Sequence, residues 1–158
     1  MSAYLFPAAV VLHLLAIVIW VGGMFFAHQV LRPVAVAQFE PPQRLPLWNG
    51  VFSRFFPWVW AAIIVILATG FWMIFGYYGG FAKVPPYVHT MLALGIVMML
   101  IFGHVFFGLY LKLKRAVAAQ DWPTAGEKLN KIRLLVGINT VLGLITIAVG
   151  SGGRFMAF

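Results

Sequence analysis

Four long apolar stretches, separated by more polar connections, organise this 158-residue chain. They run over Leu5–Leu31, Phe55–Tyr78, Tyr87–Leu111 and Leu134–Val149. At about 1.5 Å of rise per residue, segments of this kind cross roughly 30 Å of hydrocarbon. The fourth is the shortest, but Thr124 followed three residues later by Glu127 matches a capping box, which predicts a helix that begins before the membrane. Pro33, Pro41, Pro42 and Pro46 are expected to break the connection between the first two stretches. The Pro85–Pro86 pair opens the third, where a missing backbone donor costs little. The first stretch lacks a charged leading region and is too long for a cleaved leader, so it is expected to be a mature helix. The pattern predicts an all-α integral membrane protein: a single four-span domain over residues 1–158, folded as a four-helix transmembrane bundle.

Composition agrees. Hydrophobic residues make up 63% of the chain and charged ones only 9%, with a mean hydropathy of +0.99, against roughly a quarter charged in a soluble domain. The formal net charge is +8, and its distribution carries the information. Arg32, Arg44 and Arg54 lie between spans one and two. Lys112, Lys114, Arg115, Lys128, Lys131 and Arg133 lie between spans three and four, leaving Lys83 and Arg154 for the other side. The positive-inside rule then places both termini on the outer side of a bacterial inner membrane, with the protein crossing it several times. No basic–aromatic pattern calls for nucleic acid.

The acids Glu40, Asp121 and Glu127 all fall in connections, which argues against a carboxylate proton relay or a calcium or magnesium site at membrane depth. Cysteine is absent. That removes iron–sulfur clusters, thiolate zinc, covalent haem attachment and disulfides.

The remaining candidate chemistry lies in four histidines. His13 and His28 are fifteen residues apart in span one, and His89 and His104 repeat that spacing in span three. Fifteen helical residues rise about 22 Å and turn about 60° beyond four whole turns, so both histidines of one span project from similar faces. Alternate spans run in the same direction. The spacing therefore predicts two imidazole pairs, His13 with His89 and His28 with His104, ligating two b-type haems between spans one and three. Gly22, Gly23, Gly95, Gly103 and Gly108 would leave room for the macrocycles or, alternatively, serve close helix packing. Arg32, Arg54 and Lys112 are candidates for the inner propionates, Lys83 and Arg154 for the outer. Trp20, near the midpoint of the first pair, would lie between the haems or pack in the core.

Copper is the alternative. Met24 and His28 stand at i, i+4, and Met91 follows His89; thioether with imidazole suits Cu(I). Met91, two residues on, points away from His89 in a helix, and no methionine ladder crosses the membrane.

The run His13-Leu-Leu-Ala-Ile-Val-Ile-Trp20-Val-Gly22-Gly23-Met24-Phe25-Phe26 resembles the opening helix of the copper-resistance D (CopD-like) membrane family. It is also similar to that of the bacterial membrane-bound, haem-containing protoporphyrinogen oxidase. The latter resemblance implies a haem ligand at His13, but that family carries a lysine early in the third span where this chain has His89. The two-by-two histidine pattern resembles, in geometry alone, the cytochrome b subunit of quinol-oxidising complexes. Together these readings lead to an expected di-haem cytochrome that moves electrons across the bilayer. Its partners would be lipid and a quinone, small oxidant or redox protein, with a homodimer possible through the free lipid faces. A copper-binding or copper-transporting protein and a mono-haem oxidase are the alternatives.

Overall fold

The computed structural model describes residues 4–155, apart from the side chain of Arg154, and among these the secondary structure is helical throughout. Four helices are long and apolar enough to span a membrane: α1 Leu5–Gln38, α2 Pro41–Tyr77, α3 Pro86–Ala118 and α4 Trp122–Gly152. At 31 to 37 residues they run well past the hydrocarbon thickness at their basic ends.

The prolines act differently from expectation. Only Phe39 and Glu40 interrupt the first connection, because Pro33 continues α1 and Pro41 and Pro42 open α2, where the first backbone donors need no intrahelical partner. Pro46 and Pro57 lie within α2. The start of α4 is also corrected. Asp121, not Thr124, is its N-cap, accepting a hydrogen bond from the Thr124 N–H at 3.1 Å. Glu127 is instead ion-paired with Lys128 at 3.1 Å and Lys131 at 2.8 Å.

Helix α1 lies along α2, and α3 along α4; α4 also touches α1 and α2, while the basic half of α3 reaches α2. Helices α1 and α3 are therefore diagonal across the bundle. An aromatic column fills the axis between them. Phe56 stacks on Phe52 at 5.0 Å and meets Phe102 edge-on at 5.3 Å and Tyr110 at 5.0 Å, while Trp20 meets Phe102 at 6.2 Å. Such edge-to-face pairs add to the gain from area burial. Toward the basic end, Leu113, Ala125 and Ile132 are fully buried. The outward faces are apolar, with Leu100, Ile64, Val18 and Phe107 exposed, as lipid requires.

Four stretches adopt π-helical turns: Val18–Gly22, Phe26–Leu31, Met73–Tyr77 and His104–Tyr110. Two of them carry His28 and His104, and such bulges concentrate at functional positions.

Candidate metal site

His13 is half-buried on the α1 face that meets α2. Gly70 faces the ring, and a Cβ there would make ordinary van der Waals contact, 3.5 Å from the imidazole Cε1. One residue earlier, the Thr69 hydroxyl lies 2.6 Å from the Val65 carbonyl oxygen and 2.8 Å from His13 Nδ1. A hydroxyl has one proton to give. With that proton donated to Val65, the Thr69 oxygen accepts from His13 Nδ1–H. The ring also interacts with the Ile66 backbone carbonyl. In the tautomer with the proton on Nδ1, Nε2 keeps its lone pair. This is how metal-binding histidines are oriented, with the second nitrogen anchored and the first left to coordinate. Met73 lies one turn beyond Thr69 in α2, and its segment packs on α1 through Phe6 and Tyr77, whose rings stack at 3.9 Å.

The other histidines are placed differently. His28 meets α4: a Cβ on Gly137 would lie 2.8 Å from its Nε2, and Gln29 Nε2 donates to its Nδ1 at 3.4 Å. His28 therefore packs against α4, with Nδ1 as its hydrogen-bonded nitrogen. His89 is exposed and stacks on Phe81 at 6.2 Å. His104 is exposed and folds over Gly108 of its own helix, with two ring atoms 3.3 Å from a Cβ placed there. Among the described residues no three histidine or acidic side chains gather as a metal-binding group.

These positions give the expected haem pairing no support. His13 is met by α2 and His28 by α4, and the gap between α1 and α3 is closed by Trp20, Phe56 and Phe102. The central cavity that these rings line is about 20 Å³, which admits no more than a water molecule. A macrocycle between α1 and α3 does not fit. Trp20 is a core residue at 2% exposure. Gly23 lies against the Phe55 ring, and Gly22, Gly95 and Gly103 face open space. Arg54, Lys112 and Lys83 are exposed, and the Arg154 side chain lies outside the described residues. Nor do Met24 and His28 form a ready pair. Met24 is buried in the core, whereas His28 lines a groove toward α4. Met91 packs on Gly150, as its two-residue offset from the exposed His89 predicts.

Several residues that matter here carry little signal in the sequence. Thr69 and Gly70 are inconspicuous until His13 is placed opposite them. Asn139 is buried in mid-helix, donating from Nδ2 to the Met98 carbonyl at 3.2 Å while its Oδ1 has no partner. A lone asparagine in an apolar run is the exception, a readable signal, since polar groups at membrane depth are costly.

The fold and site define a four-span helical membrane protein with histidine and methionine, but no acid or thiol, available as metal donors at depth. A family model for copper resistance protein D matches residues 49–152. The chain belongs to that family, which makes it a copper-related membrane protein. The match begins after the first helix, the segment in which the resemblance is read from sequence. No curated protein and no solved structure matches the chain.

Proposed function

We propose that this protein handles copper in a bacterial inner membrane, with His13 Nε2 as a ligand for Cu(I) in the outer half of the bundle and the Met73 thioether as its companion donor. Copper here is cargo. The observation that carries the reading is the imidazole of His13 held at Nδ1 by Thr69 at the α1–α2 interface. Imidazole and thioether suit Cu(I) in preference to the hard cations that need carboxylates. Membership of the copper resistance protein D family supports the same metal.

The neutral lining has a physical consequence. Cu(I) carries one charge, so a site built from neutral donors holds it without a buried carboxylate whose own desolvation would have to be offset. Such a site binds a monovalent soft ion and discriminates against calcium and magnesium.

The test is Cu(I) titration in mild detergent against a chromogenic chelator, with a pyridine haemochrome assay on the same sample. The expected result is a single copper equivalent that is lost in His13→Ala, weakened in Met73→Leu and kept in His104→Ala. Copper binding indifferent to His13→Ala would overturn the assignment. So would stoichiometric b haem with no copper affinity.

A further inference from the structure

Three arginines cluster at the basic end of the bundle, and among the described residues no acid pairs with them. Arg133 lies near Arg32 and Arg44, close enough to feel both charges, and packs over the Trp48 ring with its guanidinium carbon 6.0 Å from the centroid. Its Nη1 donates to Asn130 Oδ1 at 3.3 Å, but Nε and Nη2 are buried without a partner, as is Nε of Arg44. The ion pairs among the described residues join Glu127 to Lys128 and Lys131. Clustered, under-bonded guanidiniums call for an anion with several acceptor oxygens, and phosphate suits their forked geometry.

The surroundings say what carries that phosphate. Arg133, Arg32, His28 and Gln29 line one end of an open groove of about 780 Å³ between α1 and α4. Leu134, Ile138, Val141 and Leu144 continue it along the lipid-facing side of α4, with Leu134 66% and Val141 57% exposed. A polar, cationic head above an apolar trough has the profile of an amphiphile. Free phosphate would use only the head.

We infer that this groove binds an anionic phospholipid, its phosphate held by Arg32 and Arg133 and an acyl chain laid along Leu134, Ile138 and Val141. The site is separate from His13 and stands independently of the copper reading. Basic pockets between helices on the positively charged side of membrane proteins recognise headgroups in this way.

The experiment measures lipid retention by native mass spectrometry, and thermal stabilisation in detergent on adding phosphatidylglycerol, phosphatidylcholine or inorganic phosphate. Wild type should retain and be stabilised by phosphatidylglycerol over phosphatidylcholine. Each of Arg32→Gln and Arg133→Gln should weaken that preference about fivefold, and exposed Arg115→Gln should leave it intact. Because Arg32 is exposed, its variant tests the site even if Arg133→Gln fails to fold. Equal retention of both lipids, or full displacement by millimolar inorganic phosphate, would overturn the inference.

Discussion

His13 Nδ1 and Thr69 Oγ1 meet at 2.8 Å across the α1–α2 interface, and the hydroxyl is already committed to the Val65 carbonyl at 2.6 Å. With its proton so placed, the threonine serves the Nδ1–H tautomer of the histidine as an acceptor. That tautomer leaves Nε2, the nitrogen proposed to hold copper, without a proton. On the copper proposal, Thr69 is a positioning residue.

Thr69→Val keeps the branched shape and removes the acceptor. The imidazole is then free to rotate and to exchange tautomers, so Cu(I) affinity should fall about 10- to 100-fold, the usual cost of losing such a partner. Thr69→Ser should restore most of it. The competition titration reads this directly, and a far-UV spectrum unchanged from wild type separates it from misfolding. Equal affinity in Thr69→Val would remove the orienting role.

The four spans were legible because crossing a bilayer requires length and hydrophobicity, which a sequence displays openly. The neighbours of each span were not. In a membrane the lipid-facing side of a helix is as apolar as the core side, so residues such as Leu12, Ile64 and Leu100 (exposed) and Val59, Met98 and Val105 (buried) look alike in the sequence. The fifteen-residue spacing placed both histidines of a span on similar faces but carried no information about which helix each face would meet. It was Gly137 on α4 that admitted His28, and Thr69 on α2 that met His13. The extra helical length at the basic end was hidden by prolines that sit at helix starts as comfortably as in loops.

Gly143 and Gly22 should respond oppositely to the same substitution. Gly143 is buried where α4 meets α1 and α3; a Cβ there would lie 2.8 Å from Val21 Cγ2 and 3.1 Å from Met98 Cε. Val21 is β-branched and stiff, so it cannot swing clear. Gly143→Ala should lower stability by about 1–3 kcal/mol. Gly22 has nothing within 4 Å, so Gly22→Ala should stay within about 0.5 kcal/mol of wild type. Unfolding in mixed detergent micelles measures both, and equal effects would contradict the packing described.

Asp121 gives the fold a small acid-sensitive element. The Thr124 hydroxyl and then the Thr124 backbone N–H donate to its carboxylate, holding its pKa below the ordinary carboxylate value. A folded-state pKa below the unfolded one contributes stability that is present above the unfolded value and lost as pH falls through the folded value. Stability should therefore decline between about pH 5 and pH 2 with a contribution from this group. Asparagine caps helices as well as aspartate does, so Asp121→Asn should keep α4 intact and flatten that part of the profile. The carboxylate is fully exposed, which keeps the effect modest. Thermal melts across the acid range, wild type against variant, check it.

The chain contains no cysteine, so its orientation can be read by single introduced thiols with no background. Ser151 and Ala119 are both exposed and lie at opposite ends of the bundle, Ser151 late in α4 and Ala119 just beyond α3. Nine of the eleven Lys and Arg residues gather at the end marked by Ala119, and the positive-inside rule assigns that end to the cytoplasm. An impermeant maleimide on intact cells should label S151C and spare A119C until the membrane is opened. The reverse pattern would move His13 and Thr69 into the inner half of the membrane and place the arginine groove in the outer leaflet. Copper would then meet the His13 site from the cytoplasm, and the protein would act on metal already inside the cell. The orientation thus decides from which side His13 would receive copper.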